Sequence, residues 1–259
     1  MNEMLIIKTG HCETFCEFED RGICSLGDVL RSSFLINYFQ DYRITWVTDS
    51  KAISLFQGTG VKVIAWQDWD SLDLSSFERV INLEKKKVLL ESNFEGISCK
   101  TLSSLREIST YSKLSYQEKL CLLLGLNWDK TPYSFRKSLI KGAGVGFNWK
   151  VGEKFPQKML EKKFWTNLEQ SLSKYREVKW QEGFDDLNEY INWIDSLDTL
   201  ITLDSLGAHI AIALNKNVIA LFGPTNIHDI FIYDKGLKID IKGLSEESII
   251  LQINEILDH

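Results

Sequence analysis

Short, almost wholly apolar runs alternate along this chain with amphipathic stretches. Residues 4–8, 44–47, 61–65 and 79–83 each read as a strand, with helices over 29–39 and 51–57 between them. Runs that are apolar on both faces suit a parallel sheet covered on both sides, and alternating strands and helices supply its crossovers. Residues 84–112 are polar and weakly patterned and read as loops and short helices. A helix over 115–124 stops at Gly125. The polar stretch 127–141 carries neither period and reads as a linker. A second alternating series follows: strand 144–148, helix 156–174, strand 178–180, helix 186–194, strand 200–203, small-residue helix 208–214 and strand 218–222. The last helix, 245–257, is capped by Ser245, with Glu246 and Glu247 in its first turn. The pattern predicts an α/β protein of two domains, 1–135 and 136–259.

Composition narrows the classes. The 259 residues are 44% apolar and 25% charged, an ordinary globular mixture, and the net charge of −6 argues against a dedicated nucleic-acid binder. No run of about 18 apolar residues occurs, and the Met-Asn-Glu-Met start lacks the basic and apolar regions of a signal peptide. The expectation is a cytoplasmic protein with at most peripheral membrane contact. Five cysteines, an odd number, argue against a disulfide framework in that compartment.

The most informative chemistry lies in 201–225. An apolar run ends at Asp204-Ser205-Leu206-Gly207, a helix with His209 in its first turn follows, and a second apolar run ends at Gly223-Pro224-Thr225. Helix N-termini carry unpaired N–H groups and partial positive charge, so this turn is a natural seat for a phosphate. In open α/β sheets ligands collect at the carboxyl ends of strands, where both segments fall. Residue by residue, the alternative is that Asp204 and Ser205 only cap a helix and His209 packs in the core.

The string resembles the nucleotide-binding segment of glycosyltransferase family 9, the bacterial heptosyltransferase family, which reads Asp-Ser/Thr-Gly-x-x-His, a helix, and a strand ending in Phe-Gly-Pro-Thr. Gly207 stands one place later than in the commonest version, while the spacing from Asp204 to His209 is kept. Ser25-Leu26-Gly27-Asp28-Val29-Leu30-Arg31-Ser32 resembles the family's Gly-Asp-Val-Leu-Arg-Thr motif. The loop from Gly146 to Lys158, with Asn148, Gly152 and Pro156, resembles its Gly-x-Asn-x-x-x-Gly-x-x-Trp-Pro-x-Lys. The resemblance implies a GT-B fold, two Rossmann-like domains facing a central cleft, with an N-terminal acceptor side and a C-terminal nucleotide-sugar side. It implies an inverting, metal-independent glycosyltransferase that moves a sugar, with ADP-heptose suggested as donor, onto a glycan, lipid-linked or other hydroxyl acceptor. The nucleotide-sugar is then a substrate, and no cofactor is expected.

Carried onto this chain, the catalytic base is Asp28, and Lys158 contacts the nucleotide phosphate and takes the place of a metal ion. On residue grounds alone Asp28 is equally an N-cap carboxylate, and Lys158 a solvated lysine among several. Gln181 and Glu182, at the end of a strand, are placed to meet base or ribose. The donor set is therefore Asn148, Lys158, Gln181, Asp204, Ser205, Leu206, Gly207, His209, Gly223 and Thr225, with no metal ligand. Residues 11–24 interrupt the pattern between the first strand and Gly27-Asp28. His11, Cys12, Cys16 and Cys24 are metal-ligand types, but their spacing fits no standard zinc pair, and a mobile acceptor-side loop is the preferred reading. Asp68-Trp69-Asp70 and Lys85-Lys86-Lys87 read as a solvated turn and a surface patch. Two other functions fit the same architecture: a nucleotide-sugar epimerase, and a non-catalytic nucleotide-sugar-binding protein.

Overall fold

A computed structural model describes residues 2–10, 24–83, 94–96, 110–138, 140–152, 155–174 and 176–258. The chain divides into two compact units. The first comprises Met1–Arg136 together with His228–Phe231, and the second Lys137–Ile227 with Ile232–His259.

In the first unit the strands are β1 (Asn2–Ile7), β2 (Tyr42–Thr48), β3 (Lys62–Ala65), β4 (Arg79–Asn82) and β5 (Phe94–Gly96). All pair in parallel, in the order β3-β2-β1-β4-β5. Met4, Leu5, Ile6 and Ile7 of the central strand are fully buried, as a parallel strand covered on both faces requires. Leu5, Ile7, Val47 and Val80 form one core cluster, with Trp66, Leu72 and Phe77 packed against it. The helix expected over 29–39 is instead two helices, α1 (Leu26–Ser32) and α2 (Leu35–Tyr38). The break falls where Ser32 Oγ donates back to the Asp28 carbonyl at 2.8 Å, a local bond that competes with helix propagation. The helix over residues 115–124 is α3 (Tyr116–Leu123), closed by a Ser115–Glu118 capping box and followed by Gly125 at φ +66°.

The second unit holds β6 (Val145–Asn148), β7 (Val178–Trp180), β8 (Thr199–Leu203), β9 (Asn217–Phe222) and β10 (Gly236–Asp240), all parallel, in the order β10-β9-β8-β6-β7. Its helices are α4 (Lys162–Leu172), α5 (Leu187–Asp195), α6 (Leu206–Ala213) and α7 (Glu246–Asp258). Phe164, Trp165, Leu168 and Leu172 of α4 are buried, one apolar stripe of a helix, and they close the core over Phe147, Ile201 and Ile219. The expected 156–174 helix starts late. Pro156–Lys158 is a single 3₁₀ turn, and extended backbone at Met159 and Glu161 separates it from α4. β5 and β10, neither expected from the sequence, are both edge strands.

Both units are therefore doubly wound. Each sheet reverses its strand order at one place, and that place is where ligands of such sheets bind. It lies between β1 and β4 in the first unit and between β6 and β8 in the second.

Candidate active site

Asn148 ends β6, and Ser205 follows β8 as the N-cap of α6, so the two meet at the switch point of the second sheet. Asn148 is fully buried. Its Nδ2 donates to Thr202 Oγ1 at 2.7 Å and to Ser205 Oγ at 2.8 Å, and its Oδ1 accepts from the Tyr190 hydroxyl at 2.7 Å. These bonds fix the direction of the rest. Thr202 passes its own hydrogen to the Leu203 carbonyl at 2.8 Å. Ser205, accepting from Asn148, keeps a hydroxyl hydrogen whose closest protein contact is Thr202 Oγ1 at 3.4 Å. The cap side chain thus makes no cap bond to its own helix. Its donor capacity stays at the mouth of the turn.

Gly207 lets α6 approach this cluster. A Cβ there would stand 2.3 Å from Asn148 Nδ2 and 2.4 Å from the Tyr190 hydroxyl. Burial pushes the Tyr190 phenol well above its ordinary value, so it stays a donor. Leu206 opens α6, and His209, 4% exposed, lies within its first turns.

Across the turn, Lys158 Nζ contacts Asp204 Oδ2 at 2.7 Å and the Asp204 carbonyl at 3.0 Å. Burial alone would raise the Asp204 carboxyl. Lys158 outweighs it, with help from His209 and the Thr225 hydroxyl, and holds the group below the ordinary range. Thr225 Oγ1 contributes without a hydrogen bond of ordinary geometry. The lysine therefore spends two of its three hydrogens on Asp204 rather than standing alone as a phosphate contact. Gly223 follows β9 directly, half-buried, beside Ile241.

Gln181 is placed differently. Its backbone continues the β7 edge through N–H to the Phe147 carbonyl at 3.0 Å, and its carbonyl accepts from Trp149 Nε1 at 2.8 Å. Its Oε1 is buried without a protein partner. With Trp149, Lys150, Lys162, Trp180 and Glu182 it lines an open depression of about 460 Å³. Lys158, Asp204, Ser205 and His209 do not line it, so the depression and the switch-point turn are distinct features of the same sheet end.

In the first unit Asp28 is not the N-cap that its alternative reading made it. Ser25 holds that position, and Asp28 is the third residue of α1, too far along to cap it. Its Oδ1 pairs with Arg31 Nη2 at 2.6 Å. The chain returns to the end of β1 just before this turn: Ser25 N–H donates to the Gly10 carbonyl and Cys24 Sγ to the Thr9 carbonyl. His11, Cys12, Cys16, Glu13 and Glu17 of the 11–24 segment lie outside the described residues, as do Lys85-Lys86-Lys87 and the side chains of Trp69 and Asp70. Asp68 sits in the 3₁₀ turn Trp66–Ser71, its carbonyl accepting from Ser71 Oγ at 2.6 Å. Among the described residues no group of three His, Cys, Asp or Glu side chains is arranged to hold a metal ion. No described helix is long and apolar enough to cross a membrane.

Several participants gave no signal in the sequence. Tyr190 and Thr202 join Asn148 only through the fold, and Tyr116 reaches Arg31 across 85 residues of chain, its ring 3.8 Å from the guanidinium carbon. Buried Lys8 and the Lys119–Asp229 pair at 3.2 Å likewise look unremarkable as sequence.

Two doubly wound parallel units of this kind are the GT-B fold. Residues 183–241 match the model of glycosyltransferase family 9 (heptosyltransferase). The whole fold is similar to solved heptosyltransferases. E. coli ADP-heptose lps heptosyltransferase II aligns with a TM-score of 0.64 at 13% identity, over 98% of each chain. E. coli heptosyltransferase WaaC with ADP-2-deoxy-2-fluoro heptose aligns with a TM-score of 0.60 at 12% identity, over 98% of this chain and 99% of that one. A family 9 glycosyl transferase from Veillonella parvula aligns with a TM-score of 0.61 at 13% identity, over 98% and 89%. No curated protein matches by sequence.

Proposed function

We propose that this chain transfers a sugar, with inversion and without a metal ion, from a nucleotide diphosphate donor to an acceptor hydroxyl. The observation that carries the reading is the Asn148–Ser205–Gly207 cluster beside Lys158–Asp204 at the switch point. It presents a serine donor, a helix start and an ammonium at one strand end, which is what a diphosphate needs. The domain roles follow, with the first unit the acceptor side and the second the donor side; the division expected at 135/136 is corrected by His228–Phe231, which belong to the first unit. Gln181 Oε1, buried and unpaired, offers an acceptor for a ribose hydroxyl or a base amino group, and Trp149 and Trp180 offer apolar walls.

In the transfer step the acceptor oxygen attacks the anomeric carbon as the bond to the diphosphate oxygen breaks. The acceptor's proton passes to the Asp28 carboxylate, and the nucleoside diphosphate leaves as the anion. Lys158 and the α6 start counter the charge that develops on it, the work a divalent cation does elsewhere. Heptose from ADP-heptose is the donor the family description and the named relatives suggest, and a glycan or lipid-linked hydroxyl is the acceptor class.

A thermal-shift panel of ADP-, UDP-, GDP- and CMP-sugars tests the donor, because a ligand that binds only the native state raises its melting temperature. ADP-heptose is expected to give the largest shift, unchanged by EDTA. No shift with any of the four, or one that needs magnesium or manganese, overturns the reading. Sugar isomers formed from donor alone would instead identify an epimerase.

A further inference from the structure

Asp28 is held by a structure of its own. Arg31 lies one turn along α1, and its guanidinium takes Asp28 Oδ1 at 2.6 Å while lying flat over the Tyr116 ring at 3.8 Å. Tyr116 is fixed in turn. Ser32 Oγ gives its hydrogen to the Asp28 carbonyl at 2.8 Å, so the Tyr116 hydroxyl is the donor in its 2.8 Å bond to Ser32. The circuit runs from Asp28 through Arg31 and Tyr116 to Ser32 and back to Asp28. Tyr116 is the first residue of α3, whose capping box sets its backbone. Arg31 is 12% exposed and Asp28 28%, so the arginine is the inner partner and the carboxylate the outer one.

We infer that Arg31 is a positioning residue for sugar transfer: stacked on Tyr116, it holds the Asp28 carboxylate ionised and aimed, and does not itself touch substrate. The inference rests on the reading of Asp28 as the base. A stacked guanidinium suits the task because its plane is fixed by the ring and its charge is never lost. Burial works against that charge, but Asp28, with Tyr116, Asp229 and Tyr133, more than restores it. A cation within a few ångströms favours an ionised carboxylate, so Arg31 widens toward acid the pH range in which Asp28 can accept a proton. Among the described residues, the other charged or titratable groups of this region include Lys8 at the end of β1, Cys24 ahead of the turn, Tyr116 and Lys119 on α3, Tyr133, and Asp229, which pairs with Lys119.

Three variants test this, Asp28→Asn, Arg31→Gln and Arg31→Lys. Turnover is read as nucleotide released from ADP-heptose, or from the nucleotide-sugar that most stabilises the chain, with water or an added hydroxyl acceptor. The Asp28 carboxyl is also titrated directly by carbon NMR. Asp28→Asn comes first: more than about a tenth of wild-type turnover removes Asp28 as base, since loss of a general base costs about 10²–10⁴-fold. With Asp28→Asn inactive, Arg31→Gln is expected to lower kcat at least tenfold at unchanged donor affinity. It should also move the acid limb of kcat, and the Asp28 titration, up by about one pH unit or more. Arg31→Lys keeps the charge and loses the flat stack, so its acid limb stays in place while kcat falls severalfold. An Arg31→Gln protein with wild-type kcat and an unmoved limb overturns the inference and leaves Asp28 untouched. If Arg31→Gln does not fold, wild-type kcat in Arg31→Lys overturns it equally.

Discussion

Replacing Gly207 with alanine sets two effects of opposite sign against each other. Helix propensity alone favours the change by about 1 kcal/mol. Against it, the new Cβ would stand 2.3 Å from Asn148 Nδ2, 2.8 Å from Asn148 Cγ and 2.4 Å from the Tyr190 hydroxyl. Asn148 cannot step aside cheaply, because it is fully buried and holds three hydrogen bonds. Overpacking a tight interior costs about 1–3 kcal/mol. Leaving a buried amide or hydroxyl without its partner adds about 1–3 kcal/mol. The clash therefore wins, with a net loss of about 1–5 kcal/mol after the propensity gain is subtracted. For a chain of this size that lowers Tm by several degrees, at about 2–4 °C per kcal/mol. Calorimetry reads the loss, and hydrogen exchange over residues 199–213 places it, because protection there depends on the same cluster. Tyr190→Phe removes the hydroxyl, one of the three clashing atoms, so in the double variant the two losses should fail to add by about 0.5–3 kcal/mol. A Gly207→Ala protein as stable as wild type, with unchanged exchange in that segment, would refute the reasoning.

Lys158→Ala should weaken nucleoside diphosphate binding about ten- to a hundredfold, the worth of a charge-assisted contact, and His209→Ala should weaken it as well. If both bind as wild type by titration calorimetry, the diphosphate lies elsewhere. Asp204 is held below its ordinary value of 3.8, so its contribution to stability is complete above that value and fades as pH falls through the lower folded one. In a scan of Tm against pH, Asp204→Asn should flatten the acid end of the wild-type curve, and parallel curves would contradict the pairing with Lys158. Burial pushes the Cys121 thiol up to about 11, which leaves it protonated and unreactive at neutral pH. A thiol reagent should modify it only in denaturant, and prompt modification of the folded protein would count against its burial.

What was legible in the sequence was whatever is written locally. β9 reads as a strand because Val218–Phe222 is buried on both faces, so every residue had to be apolar. The turn from Asp204 to His209 was legible because a strand end, a cap and a helix start lie within six residues. β10 was not, since only Ile239 of its five residues is buried and an edge strand needs no full apolar run. The break between α1 and α2 was hidden because it depends on where the Ser32 hydroxyl points. The wiring of the site was equally out of reach. Lys158 and Asp204 were both named, but that each spends its charge on the other is a fact of approach across 46 residues. Tyr190 looks like any aromatic on an amphipathic helix until the sheet order sets Asn148 beside it.

The four residues His228–Phe231 have a consequence for anyone who would take the protein apart. They belong to the first unit although nearly a hundred residues of the second precede them, so the polypeptide passes between its units three times. A fragment ending at Arg136 would lack Asp229, the carboxylate that meets Lys119, a lysine 1% exposed, and it would lack Phe231, whose ring meets Trp128 edge-on at 5.4 Å. Removing one partner of a buried ion pair costs about 3–5 kcal/mol, a large part of what holds a domain of that size together. The two halves are thus separable on a page but not with scissors. A workable split would have to return those four residues to the first piece, as a graft or an added peptide.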